Sequence, residues 1–282
     1  LGISTGANPH SGLPADADVE NRDASAWDPV GKISLGDVDI SEDQRTLWVL
    51  NLSNRTLYEI FIDLPPTVPT AGDVTAHAIP NPGCSNGDYR PWATKVHDGK
   101  VYVGIVCSAE TSQSRSDLRA YVRAFDPANP GAGFAAVVDF PLNFTRGCAS
   151  NDGDCWPADW LPWRATFPAN GTVGPPITVG ALTGFDKQVI YPQPILSDIE
   201  FDEKGNMLLG FTDRLGQQTG NANLSPNVGD NNLHEGTSAG DLLRLCRACS
   251  GSGAYCQLDS NCPSGQTCGF SIESNGSCGG VT

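Results

Sequence analysis

Residues 37–49 read DVDISEDQRTLWV, and residues 198–210 read DIEFDEKGNMLLG. Each begins with a short alternating run, passes through an acidic turn and resumes as a second apolar run. A period of two sends successive side chains to opposite faces of a strand. Both segments therefore read as inner strand, turn and second strand. Between them, residues 95–103 (KVHDGKVYV) form a third hairpin signature, with Asp98-Gly99 as its turn. Leu47 and Val101 lie 54 residues apart, and the first and last copies lie 161 apart, close to three such intervals.

Working outward, residues 57–62 (LYEIFI) supply a third strand and residues 74–79 a fourth. Further third strands fall at 118–125 and 241–245, and residues 134–140 give another outer strand. A repeat of about 40–50 residues, each a meander of four strands, marks the blade of a β-propeller. The competing arrangement is a β-sandwich of ordinary hairpins. The shared D-[VI]-[DE]-[IF] opening favours the propeller. The expected fold class is all-β: a β-propeller-like array, incomplete with the blades counted here, and a small disulfide-rich C-terminal module. Residues 1–30 read as a connecting segment, 31–245 as the propeller-like domain and 246–282 as the Cys-rich module. A loop at 146–190 holds Cys148, Cys155, Trp156, Trp160 and Trp163, where the spacing predicts a degenerate blade.

Composition narrows the function. The 282 residues carry a net charge of -15, with 32 Gly and 21 Pro. Such punctuation suits short strands and turns. A pI near 4.4 argues against nucleic acid and anionic lipid, which need a basic face. No apolar run approaches the ~20 residues that cross a bilayer. The chain opens at Leu1 without a basic-then-apolar leader and ends Gly279-Gly280-Val281-Thr282, so it reads as an excerpt of a longer polypeptide.

The ten cysteines are Cys84, Cys107, Cys148, Cys155, Cys246, Cys249, Cys256, Cys262, Cys268 and Cys278. One C-x2-C stands alone, without the second pair or the histidines a zinc site needs. Extracytoplasmic disulfides are the preferred reading. The expected pairs are Cys84 with Cys107, Cys148 with Cys155 and Cys246 with Cys278, the remaining four pairing within the C-terminal knob. Six N-x-S/T sequons, at Asn51, Asn54, Asn143, Asn170, Asn223 and Asn275, support the same compartment. Asn51 and Asn54 fall in a hairpin turn, where a glycan is expected to point outward.

At this point a resemblance emerges. The phrases Gly36-Asp37-Val38-Asp39-Ile40-Ser41, Lys100-Val101-Tyr102-Val103-Gly104 and Asp117-Leu118-Arg119-Ala120-Tyr121-Val122 resemble a propeller-like region of large extracellular proteins. So do residues 140–148 (FPLNFTRGC), 191–201 (YPQPILSDIEF) and 240–244 (GDLLR). In bacteria that region accompanies serine-aspartate-repeat-type B domains in adhesin-like surface proteins. The likeness covers most of residues 30–280, in patches. Residues 250–269 depart from it as an insertion, similar to the EGF-like, Cys-rich repeats of secreted and filament-forming proteins, including algal and protist surface hairs. The resemblance implies a cell-surface location and a structural or adhesive part, and it brings no catalytic residues.

No P-loop or G-x-G-x-x-G fingerprint is present in the sequence. The four histidines (His10, His77, His97 and His234) form no H-x-x-x-H. His234-Glu235 sits in a Gly/Asn-rich loop, and His97 beside a turn. The acidic pairs Asp37/Asp39 and Asp198/Glu200 have three readings. They can bond the backbone of neighbouring blades, collect Ca²⁺ through oxygen ligands, or act as an acid/base pair in a lyase or glycoside hydrolase. Asp152-Gly153-Asp154 and Asp230-Asn231-Asn232 are lesser Ca²⁺ candidates. The Trp segment either packs a loop or stacks on sugars as a carbohydrate-binding module. The expectation is a non-enzymatic extracellular glycoprotein domain without a cofactor. Its partners are copies of itself or other surface proteins, with glycans attached or bound and no nucleic acid or membrane insertion.

Overall fold

A computed structural model describes residues 1–16, 18–144, 146, 159–168, 187–236, 238 and 240–273. The protein is all-β, with two short helices and a few 3-10 turns among the described residues. After α1 (Ala24–Trp27), the strands β1 (Leu35–Ile40), β2 (Thr46–Asn51), β3 (Thr56–Phe61) and β4 (Val74–Ala78) pair in sequence order as an antiparallel meander. A second meander follows: β5 (Tyr89–His97), β6 (Lys100–Cys107), β7 (Arg119–Phe125) and β8 (Phe134–Pro141). Next comes β9 (Lys187–Val189), then β10 (Pro194–Phe201) and β11 (Met207–Asp213). The chain leaves this third sheet through α2 (Arg214–Thr219), β12 (Asn223–Leu224) and β13 (Leu233–Gly236). It returns as β14 (Asp241–Cys249) and β15 (Cys268–Ile272), giving the order β10-β11-β14-β15. The small strands form a separate sheet, β12-β13-β9, in which β13 runs parallel to β9.

The turns obey the local chemistry. Asp98 and Gly99 both take positive φ, 50° and 67°, the pattern of a tight type I′ hairpin. The acidic turns of the repeat are Asx-type loops. Asp43 Oδ1 accepts from Ser41 Oγ at 2.6 Å and from Arg45 N at 3.0 Å. Asp202 Oδ1 accepts from Lys204 N and Asn206 N, each at 2.9 Å. Asp43 and Asp202, the acids of the repeat's turns, are thus turn-closing groups.

The second sheet is apolar on both faces. Val101, Val103 and Ile105 of β6 pack with Trp48, Leu50 and Leu57 of the first sheet. Val106, Leu118 and Val122 pack with Leu196, Ile199 and Leu209 of the third. Gly104 lies where the second and third sheets meet: a Cβ there would stand 2.7 Å from Leu196 Cδ2. The third core, Trp27, Leu161, Phe167, Val189, Tyr191 and Leu215, holds the small sheet to α1 and α2.

Three four-stranded antiparallel sheets therefore stand where three blades were expected, with apolar cores between neighbouring sheets. No closed ring of blades occurs among the described residues. The degenerate blade expected near 146–190 falls mostly outside the described residues. β14 continues through Cys249, across position 246, where the sequence reading begins the Cys-rich module. The tract 250–267 is a connection between two paired strands of the third sheet.

Candidate functional site

The first strands of the three sheets, β1, β5 and β10, pack on one another, so the acidic pairs meet at their junction. On β1, residues 37 and 39 share the face of Trp48, toward the second sheet. Asp37 Oδ2 accepts from Thr94 N at 3.0 Å, and Asp39 Oδ2 accepts from Val96 N at 2.7 Å. The other oxygen of each carboxylate accepts from the next residue of β1: Val38 N at 2.8 Å and Ile40 N at 2.9 Å. Each carboxylate therefore bridges the open edges of two strands from different sheets. Edge N–H groups left in a protein interior without such partners cost free energy. Burial pushes the Asp37 carboxyl above its ordinary value. Bonds from Thr94 and Val38 pull it back, and the neighbouring Asp198 and Asp39 add to the rise.

The second acidic pair behaves differently. Glu200 Oε1 receives Lys95 Nζ at 2.8 Å, and the same ammonium lies 3.7 Å from Asp39 Oδ2. Burial works to lower the Lys95 value, but the bond to Glu200 and the charges of Asp39, Glu200 and Asp198 outweigh it and raise it. Asp198 is exposed and has no hydrogen bond or ion pair among the described residues. No three of these carboxylates place oxygens within mutual ligating distance there; the sole such cluster among the described residues is Cys249, Cys256 and Cys262. Those sulfurs are in disulfides. Cys249 is bonded to Cys262 and Cys256 to Cys268, while Cys84 is bonded to Cys107 in the core between the first two sheets. Cys246 is disulfide-bonded as well. Cys148, Cys155 and Cys278 lie outside the described residues.

The remaining candidates are placed as follows. His97 stacks on Phe201 at 4.0 Å, across the junction of the second and third sheets. His77 meets Glu59 at 3.0 Å and packs on Phe125, and His10 contacts Asp23. His234 is buried, with Nε2 2.9 Å from Asp230 Oδ2. Ser225 Oγ donates to that same oxygen, so this hydroxyl is not set against the imidazole as a nucleophile against its base. Asp230 also accepts from Asn232 Nδ2. The Arg22 guanidinium donates to the carbonyls of Ser225, Asn227 and Asp230. Protein donors thus fill the loop marked as a Ca²⁺ candidate. Residues 152–154 lie outside the described residues.

Trp160 and Trp163 are fully buried, and Trp163 Nε1 donates to Pro194 O at 2.8 Å. Neither offers a sugar a face, and Trp156 lies outside the described residues. Among the sequons, Asn51 is wholly buried, with Nδ2 donating to Ser4 O at 2.9 Å and Oδ1 accepting from Ser53 N. This closes the outward path a glycan needs. Asn54 and Asn143 are exposed. Asn223 is half-buried and accepts from Asn21 N; Asn170 and Asn275 lie outside the described residues.

Sequence reasoning missed a buried polar node at the end of β11. Arg214 has no exposed surface, yet its guanidinium is widely bonded. It donates to Val30 O, Asp28 O, Arg164 O and Gln193 Oε1 at 2.7–3.0 Å and lies 4.5 Å from the Trp163 ring. Asp213 caps α2 through Leu215 N and also accepts from Gln193 N. Burial raises the Asp213 carboxyl to about 7 and lowers Arg214 to about 9. The legible signal was Asp213 as an N-cap before a short helix closed by Gly220. Lys95 was also missed. It sits in the middle copy of the repeat, where the outer copies carry acids.

No family model matches the chain. It is similar to three proteins of Dictyostelium discoideum. Colossin-A is 28% identical over 222 residues, which is 76% of this chain and 2% of that protein. Colossin-C is 29% identical over 190 residues, 66% of this chain and 16% of that protein. Colossin-D is 25% identical over 229 residues, 80% of this chain and 20% of that protein. The chain thus spans at most a fifth of the curated relatives it matches. Among the described residues, no helix is long and apolar enough to cross a membrane.

Proposed function

We propose that this chain is a non-enzymatic extracellular glycoprotein domain, a β-propeller-like scaffold or adhesion unit that builds a surface filament or hair. The observation that carries the reading is the bonding of Asp37 and Asp39. Both carboxylates use both oxygens to bond backbone N–H groups, so their chemistry is consumed in joining sheets. The disulfides fit an oxidising compartment. The similarity to short portions of the colossins fits a module of a long polypeptide. The packing of β1, β5 and β10 fits blades set around an axis. No metal or organic cofactor enters the proposal, and its partners are further copies or other surface proteins, with glycans attached or bound.

Asp198 favours one second reading, that of a secreted propeller enzyme, because it is an exposed carboxylate without a partner among the described residues. The test is expression through a secretory pathway, followed by intact-mass measurement before and after glycan removal and assays against polysaccharide panels. The scaffold reading expects secreted, glycosylated, oxidised protein without turnover. Turnover abolished by Asp198→Asn would replace it with the enzyme reading.

A further inference from the structure

We propose that the outward faces of the first and third sheets are the two halves of one joint, by which a second copy of this chain docks head to tail. The inference rests on the scaffold reading and names its contact. The template is the joint between the first two sheets. There an acidic pair two residues apart on one inner strand bonds the edge N–H groups of the next inner strand, above apolar sheet faces. The third sheet carries a like pair: Glu200 is taken by Lys95 of the second sheet, but Asp198 has no hydrogen bond or ion pair among the described residues. Asp198 and Glu200 pair across the ladder with Gly210 and Leu208, and these with Leu242 and Arg244. Their face is opposite to Ile199, Leu209 and Leu243, which point to the second sheet. On that outward face Asp198 has no partner among the described residues and Leu242 is 69% exposed.

The complementary half belongs to β1. Leu35, Val38 and Ile40 align with Asn51, Val49 and Leu47, on the face away from the second sheet, and are 45%, 56% and 40% exposed. They flank Val49 and Ile60, which are buried. The edge N–H groups here belong to Val38 and Ile40, two residues apart like those of Thr94 and Val96, and they turn to the carboxylates of their own strand. One chain thus presents the acidic, leucine-bearing half at its third sheet and the strand-edge, apolar half at its first. A second copy supplies whichever half the first lacks. Such a contact uses different patches on each copy, so it propagates or closes only by rotation.

Sedimentation velocity of the 282-residue chain over a concentration series tests this. Asp198→Lys with Leu242→Glu blocks one half, and Val38→Glu with Ile40→Glu blocks the other. All four residues are exposed, and far-UV circular dichroism checks that each variant is folded. The expected result is concentration-dependent association of the parent chain, weakened about ten-fold or more by either pair. A mixture of the two variants stops at dimers, because only one joint can form. A chain that stays monomeric throughout, or association indifferent to both pairs, overturns the joint. If native secreted material still assembles in that case, the scaffold reading stands without it. A monomer with Asp198-dependent turnover removes both.

Discussion

At the residue scale, the decisive groups are carboxylates whose work differs with their surroundings. Asp39 shares itself between Ile40 N and Val96 N. Asp39→Ala leaves two edge donors without acceptors and is expected to destabilise the fold by about 1–3 kcal/mol, read by chemical denaturation. Asp213 gives a pH dependence of opposite sense to that of a paired surface acid. Its folded value is raised from 3.8 to about 7, first by burial. Between those values the folded chain holds a proton that the unfolded chain has released, so stability falls as pH rises. This contribution is full below pH 3.8 and is lost as pH passes about 7, with a size on the order of a few kcal/mol. Denaturation curves from pH 4 to 8 should show that slope in the parent protein and a flatter profile in Asp213→Asn. An unchanged slope would mean that the carboxyl is already ionised in the fold, held by the nearby Arg146 and Arg214.

At the element scale, the Cys-rich tract is a loop of the third sheet pinned at two points. Cys249–Cys262 and Cys256–Cys268 close spans of 13 and 12 residues. Tyr255 donates to Lys204 O across the neighbouring hairpin. Replacing Cys256 and Cys268 together with Ser should cost roughly 3 kcal/mol of loop-closure stabilisation. Hydrogen exchange should show residues 250–267 losing protection while β10 and β11 keep theirs. Loss of protection across all of β14 would mean that the tract is part of the sheet's folding core. Much of this scale was legible beforehand. Alternation, the Asp98-Gly99 turn and the repeated D-x-[DE] opening place the meanders. The return of the chain from β11 to β14 was not, because α2, β12 and β13 intervene and the ladder closes only in three dimensions. The burial of Asn51 was equally hidden: a sequon shows its chemistry but not the Ser4 carbonyl that receives its amide.

At the scale of the whole molecule, three sheets stack in chain order with apolar cores between neighbours, their first strands converging at one junction. Glycosylation belongs to this scale, since it reports which surface faces solvent. Peptide mapping of secreted material should find glycan on Asn54 and Asn143 and none on Asn51; occupancy at Asn51 would require the hairpin to open. The stack also explains why the sequence reading stops short of a closed propeller. Blade signatures reveal meanders, but closure depends on what covers the outward faces of the first and third sheets. Those faces keep Val38, Ile40 and Leu242 in water.

The central claim is that this chain works by joining sheet to sheet, within itself and beyond, rather than by turning over a substrate. Electron cryo-microscopy of native secreted material tests it most directly. The account predicts repeating assemblies in which the β1 face of one copy meets the β10–β14 face of the next, with Asp37 and Asp39 bonded to β5 inside each copy. Isolated particles with a saccharide held at Asp198 and Glu200 would contradict it.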